Sequence, residues 1–114
     1  MQEGMGTVQE IVSPEQWETV FELAGSRLIV VYFTAEWCGP CKRVAPKITE
    51  LAHSHSRVMF VKIDVDAARG RIAAVDTVKT VPCFVFVRNG EQVDALRGAD
   101  LQGLMAKIKE HSEG

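Results

Sequence analysis

Two periods of apolar spacing alternate along the chain. Leu28-Ile-Val-Val-Tyr-Phe33 is an unbroken apolar, β-branched run between turn residues, and Val58-Met-Phe-Val-Lys-Ile63 repeats it. Such runs suit strands covered on both faces, as in a parallel sheet. Phe84 to Val87 and Gln92 to Leu96 flank Asn89-Gly90, a dipeptide that favours a tight hairpin turn. Thr7 to Ile11 is a weaker, short strand pattern. Between these runs the spacing becomes helical. Ser13-Pro14-Glu15-Gln16 reads as a helix start, with Ser13 as cap, Pro14 at the first position and Gln16 closing a capping box. Trp17, Val20, Phe21 and Ala24 follow at helical intervals, and Gly25 is a natural stop.

A second helix is expected from the Cys38 region to about Ser54, with Val44, Ile48 and Leu51 on its inner stripe. Pro46 removes one backbone donor from it and predicts a kink. Asp66 can cap a short helix to about Ala74, and Asp100 a last one with Leu101, Leu104, Met105 and Ile108 on its apolar side. The pattern predicts one α/β domain over residues 1–114, with a parallel part and a terminal antiparallel hairpin.

Composition narrows the class. The 114 residues are 46 % hydrophobic, enough for an ordinary core without stapling disulfides. A net charge of −2 provides no broad basic field for nucleic acid. No apolar run approaches a membrane span. The N-terminal Met1-Gln-Glu-Gly-Met-Gly is polar and lacks the features of a secretory signal. Three cysteines are an odd number, which favours reactive thiols in a reducing, cytoplasmic setting over a disulfide framework.

The candidate chemistry is concentrated in Trp37-Cys38-Gly39-Pro40-Cys41. Two residues three apart at a helix start share a face, with α-carbons about 5–6 Å apart, inside the range a disulfide requires. At the helix N-terminus, Cys38 meets unpaired amides and the positive end of the helix dipole, which favour its thiolate. Cys41, one turn further in, is expected to be more buried and protonated. Cys38 is therefore the candidate nucleophile and Cys41 the resolving thiol. Gly39 admits a close-approaching chain, Pro40 stiffens the turn, and Trp37 offers a flat apolar shoulder. Cys-x-x-Cys also occurs as half of a zinc site, but the second ligand pair is missing. His53 and His55 lie at the far end of the same helix, about 20 Å from Cys38. No metal site is expected, and no signature of a papain-like Cys–His pair is present. Thr80-Val81-Pro82-Cys83 is the second informative segment, since Pro82 can begin a strand but not continue a central one. Statistics alone put a cis bond there at about 5–6 %.

Together these motifs identify a family. Phe33 to Pro46, reading F-T-A-E-W-C-G-P-C-K-R-V-A-P, and the downstream K-I-D-V-D, T-V-P, N-G and R-G-A elements resemble a thioredoxin over nearly the whole chain. Val31-Tyr-Phe-Thr-Ala35 is also similar to the thioredoxin domain of plant tetratricopeptide-repeat thioredoxins. The resemblance implies a thioredoxin fold, with a five-stranded mixed central sheet flanked by four helices. It implies a cis Val81-Pro82 bond packed against the cysteines, and a substrate groove made by Trp37, Gly39, Pro40, Val81, Pro82, Gly98 and Ala99. The implied activity is reduction of disulfides in target proteins, with electrons from a thioredoxin reductase and no cofactor beyond the redox-active Cys38-Cys41 disulfide. A monomer serving cellular redox homeostasis is expected.

Two positions depart from the family pattern. Many thioredoxins carry a buried Asp where this chain has Tyr32, and Lys62, usually its neighbour, is retained. A phenol with a reference pKa of about 10 cannot act as a carboxylate base near neutrality. Tyr32 is expected to fill core volume, with Lys62 turned toward Glu36 or solvent, or with water taking over the proton relay. Cys83 stands where Thr is common. It reads as a small buried hydrophobe first and as a possible regulatory thiol second. A disulfide oxidase or isomerase, whose relatives carry His near the second cysteine, and a non-catalytic binding module are the competing readings. Pro40 argues against the former.

Overall fold

The computed structural model describes residues 6–112. All but Gly6 of the polar N-terminal stretch lies outside them. The described residues form five strands, three α-helices and one 3-10 turn. The order is β1 (Val8–Glu10), α1 (Pro14–Ala24), β2 (Ile29–Thr34), α2 (Gly39–Ser54), β3 (Met59–Asp64), the 3-10 turn (Ala73–Thr77), β4 (Cys83–Arg88), β5 (Glu91–Arg97) and α3 (Leu101–Ser112).

The strands make one mixed sheet in the order β1-β3-β2-β4-β5. β3 pairs parallel with both β1 and β2, whereas β4 runs antiparallel to β2 and β5 antiparallel to β4. The two apolar runs become the central strands β2 and β3, with Val30, Val31, Met59 and Val61 at 0–1 % exposure. Burial on both faces explains why their sequences do not alternate. Asn89 and Gly90 both adopt positive φ, 53° and 78°, as a two-residue hairpin turn matched to the sheet's twist requires. Opposite Phe86 and Val87, β5 carries one extra residue, Val93, at a bulge.

The caps follow the sequence. The Ser13 hydroxyl accepts the Gln16 amide while the Gln16 side chain accepts the Ser13 amide, forming the capping box. Asp100 Oδ1 accepts the Gly103 amide at 2.9 Å at the start of α3. In α2 the buried stripe is Cys41, Val44, Ile48 and Ala52, with Leu51 half-buried beside it; Pro46 lies within the helix. In α3, Leu104 and Ile108 are fully buried, but Met105 is 48 % exposed, one position off the inner stripe.

The fourth helix is a correction. Residues 65–71 form turns and the segment ends in the 3-10 turn, so three helices flank the sheet rather than four. Asp66 does not cap a helix. Asp64 caps the turn instead, its Oδ1 accepting the amides of Asp66 and Ala67 at 2.9 and 3.1 Å. Gly70, at φ 79°, then leaves the helical region before a second turn can form.

Cross-strand register assigns residues to faces. Tyr32 sits between Lys62 and Phe84, so these three share one side. Phe33, Ile63 and Cys83 share the other.

Candidate active site

α2 begins immediately after the β2 strand has delivered the chain to the C-terminal edge of the sheet. Cys38 occupies the N-cap in an extended conformation, and Gly39 and Pro40 open the helix. Pro40 fits there because an amide in the first turn has no intrahelical partner. Cys38 and Cys41 form a disulfide with Cα atoms 5.3 Å apart, within the spacing expected for residues three apart. The amide of Cys41 donates to Cys38 Sγ at 3.1 Å, so this sulfur takes up one of the helix's unpaired donors. On its other side, Cys38 Sγ lies 3.6 Å from the carbonyl oxygen of Val81.

The expected difference in burial between the cysteines is not found. Cys38 is 3 % exposed and Cys41 1 %. What distinguishes them is their surroundings. Cys38 faces the Val81 carbonyl and the helix amides, whereas Cys41 lines a cleft of about 250 Å³ whose walls include Tyr32 and the charged residues Glu36, Lys42, Lys62 and Asp64.

The Val81-Pro82 bond is cis. Pro82 is buried, and its carbonyl accepts the Gly98 amide at 2.8 Å, which ties the β5–α3 connection to this loop. Trp37, Gly39, Pro40 and Ala99 are exposed, and Val81 and Gly98 half-buried. Gly98 has φ 87°, a conformation that favours glycine. A Cβ at Gly39 would meet nothing nearer than the flexible end of Arg43 at 3.7 Å. Nothing inside the fold therefore demands glycine at that position.

Trp37 is 70 % exposed yet fixed, because its Nε1 donates to Asp66 Oδ2 at 2.8 Å. Arg69 holds the other carboxylate oxygen at 3.3 Å. The sequence reading missed Asp66 as a support for this side chain. A contact across 29 positions leaves no local signal, and the acidic residue before a small-residue stretch looked like a helix cap.

Tyr32 is 3 % exposed, stacks on Phe84 with ring centroids 5.4 Å apart, and donates its hydroxyl to the Cys41 carbonyl at 3.0 Å. Burial pushes its phenol pKa up, only partly offset by the Thr34 hydroxyl, so it remains a neutral donor. Lys62 lines the same cleft as Glu36 but makes no ion pair with it.

Cys83 is half-buried, on the sheet face opposite Tyr32, and lines a mainly apolar cavity of about 450 Å³ with Trp17, Phe21, Phe33 and Val85. Burial raises its thiol pKa, and Arg97 only partly offsets this. Elsewhere, ligand atoms of Asp94, Glu110 and His111 lie within 4.8 Å of one another. The ammonium of Lys107 already occupies the shared Asp94 oxygen at 2.8 Å, making this an ion network joining β5 to α3. Among the described residues, no helix is long and apolar enough to cross a membrane.

Known proteins match this arrangement. The thioredoxin family model matches residues 8–110. The TPR repeat-containing thioredoxin TDX of Arabidopsis thaliana is 44 % identical over 109 residues, covering 94 % of this chain but 28 % of that protein. The chain thus spans less than a third of that relative's length. Thioredoxin H7 of Arabidopsis thaliana is 42 % identical over 108 residues, covering 93 % of this chain and 83 % of that one. The crystal structure of Fasciola hepatica thioredoxin superposes with a TM-score of 0.85 at 38 % identity, covering 90 % of this chain and 98 % of that one. With its cysteine pair closed at the head of α2 and the family's match running from β1 into α3, the chain belongs to the thioredoxin family.

Proposed function

We propose that this protein reduces disulfides in target proteins, with Cys38 as nucleophile and Cys41 as resolving thiol. The observation that carries the division of roles is the placement of Cys38 Sγ. It sits at the N-cap of α2, accepts the Cys41 amide at 3.1 Å, and faces the Val81 carbonyl at 3.6 Å. Unpaired helix amides stabilise a thiolate there, and the nearby carbonyl marks where a target's extended backbone would dock.

In the reduced protein, the Cys38 thiolate attacks one sulfur of a target disulfide. The Cys38–target bond forms, the target's own S–S bond breaks, and its second sulfur leaves as a thiolate that takes a proton from solvent. Cys41 then loses its proton and attacks Cys38 Sγ. The Cys38–Cys41 bond forms, the mixed disulfide breaks, and the target leaves carrying two thiols. The oxidised pair is returned to the dithiol by two electrons from a thioredoxin reductase. No bound cofactor is required.

The groove for the target is formed by Trp37, Gly39, Pro40, Val81, Pro82, Gly98 and Ala99. The Asp66 carboxylate holds Trp37 as one wall. The missing side chain at Gly39 serves the incoming chain, since the fold itself would admit one. Val81 would pair its backbone with the target as a short added strand. Lys62 supports the site from the cleft beside Cys41. Cys83 acts as a small hydrophobe outside the exchange, because its face of the sheet is opposite the one bearing Tyr32 and its thiol is disfavoured as a thiolate.

We place this activity in the cytoplasm, in cellular redox homeostasis, as one monomeric thioredoxin domain over residues 1–114. The test is reduction of insulin by dithiothreitol, followed by capture of targets on a Cys41→Ser variant. Loss of activity in Cys38→Ser and stalled mixed disulfides in Cys41→Ser are expected. Full activity in Cys38→Ser would overturn the assignment.

A further inference from the structure

Cys41 has a polar setting that the exchange chemistry above does not use. Its sulfur must lose a proton before it can attack, and Cys41 lines a cleft with charged residues on its walls. The charged groups around it come from three elements and one connection. Lys62 and Asp64 lie on β3, Glu36 precedes α2, Lys42 lies on α2, and Glu10 on β1 is the register neighbour of Lys62 away from Tyr32. Asp64 is engaged on one oxygen by the amides of Asp66 and Ala67. Glu36 and Lys42 are exposed at the rim, so the cleft is open to water. At about 250 Å³, with several polar groups on its walls, it has room for ordered water.

Tyr32 reaches from the sheet to the backbone of Cys41. Its hydroxyl bonds the carbonyl of the resolving cysteine itself, and its ring is clamped against Phe84. One residue along, the carbonyl of Lys42 lacks its helical partner, because Pro46, four positions beyond it, has no amide hydrogen. The first turn of α2 thus lacks one internal bond and gains one from Tyr32. A neutral phenol used as a donor cannot also accept the Cys41 proton.

We propose that Tyr32 is a positioning residue for resolution: its hydroxyl holds the Cys41 carbonyl so that Cys41 Sγ stays aligned on Cys38, while the Cys41 proton leaves to water in the cleft lined by Lys62. The proposal rests on Cys41 being the resolving thiol. In the step, the Cys41 S–H bond breaks with its proton passing to water. The new Cys38–Cys41 bond uses the sulfur pair left behind, and the departing target sulfur carries away the electron pair of the broken disulfide. The Lys62 ammonium offsets the transient negative charge.

The experiment follows reduced protein mixed with Ellman's reagent by stopped flow, in a Cys83→Ala background. The first thionitrobenzoate release reports attack by Cys38 and the second reports resolution by Cys41. Tyr32→Phe keeps the ring and deletes the hydroxyl. It should slow the second release roughly fivefold to tenfold at every pH, as loss of one buried hydrogen bond at the reacting residue implies, and leave the first release and the pH inflection in place. Tyr32→Asp should add a new inflection to the second release, because a carboxylate then stands beside Cys41. Three results would overturn the proposal: an unchanged second release in Tyr32→Phe, an equal slowing of both releases, or an inflection of the unmodified protein erased by Glu36→Gln or Asp64→Asn. Absence of any second release in the unmodified protein would instead sink the roles given to Cys38 and Cys41.

Discussion

Opening the Cys38–Cys41 disulfide should destabilise the fold, and the size of the effect separates a reductase from an oxidant. The bridge spans a sequence separation of 3. Closing a loop of about four residues removes about 6 cal/mol/K from the unfolded chain, or about 1.9 kcal/mol near 25 °C on the chain-entropy account. The reduced form recovers part of this. A Cys38 thiolate would keep the Cys41 amide now at 3.1 Å and face the helix dipole, a gain of about 0.3–1 kcal/mol. The oxidised form should therefore remain ahead by about 1–1.6 kcal/mol. With an unfolding entropy of about 2.1 cal/mol/K per residue over 114 residues, that is a melting temperature about 4–7 °C higher when oxidised. Linkage then makes the disulfide harder to reduce in the folded than in the unfolded chain, by about 20–35 mV. Calorimetric melts of the oxidised and dithiothreitol-reduced protein measure the gap, and equilibration with a glutathione buffer measures the potential. A reduced form melting at or above the oxidised one would mean that the fold favours the dithiol. That is the property of an oxidant, and the reductase reading would fail.

Other consequences are read in separate assays. Asp66→Ala frees the Trp37 indole at the cost of one hydrogen bond, worth about 0.5–1.5 kcal/mol. Trapping of targets by Cys38 should fall about fivefold with little change in melting temperature, and Asp66→Asn, which keeps an acceptor, should restore most of it. The Asp94 carboxyl is held well below its usual range, first by Lys107, then His111 and the Ala95 amide. A depressed folded-state pKa contributes stability that is present above the unfolded value of about 3.9 and is lost as pH falls through the folded one. Asp94→Asn should thus lower the urea midpoint at neutral pH and flatten its decline in acid; an unaltered midpoint at neutral pH would refute the assignment. Cys83→Ala should leave insulin reduction unchanged, and Cys83 should alkylate more slowly than a free thiol at neutral pH; equal rates would contradict its burial-raised pKa.

The parts of the fold that were legible in the sequence are those fixed by local chemistry. β2 and β3 were readable because a doubly covered strand is mostly apolar, broken in β3 only by Lys62 and Asp64, and the Asn89-Gly90 turn because few residue pairs accept positive φ twice. The start of α2 at the cysteine motif and the Ser13–Gln16 box were readable for the same reason. The fourth helix was misread because capping chemistry is ambiguous between neighbours. Asp64 and Asp66 both offer a carboxylate, and the tertiary bond from Trp37 decides which one is free to cap. The exposure of Met105 was misread because one residue of drift moves a side chain about 100° around a helix.

The same division runs through the site. Cys38, Cys41 and Pro82 announced themselves by spacing and motif, whereas their supports act across long sequence separations and left no pattern. Tyr32 shows why the difference matters. From the sequence, an aromatic in an apolar strand is volume, and the stack on Phe84 bears that out. Yet a tyrosine buried to 3 % exposure must also satisfy its hydroxyl, since leaving it unpaired costs about 1–3 kcal/mol. Phenylalanine would have filled the same space without that demand. Among the described residues, the acceptor bonded to that hydroxyl is the carbonyl of Cys41, so packing and chemistry meet at one atom. A residue that looks like filler from its own strand is thereby tied to the backbone of a cysteine in the disulfide pair.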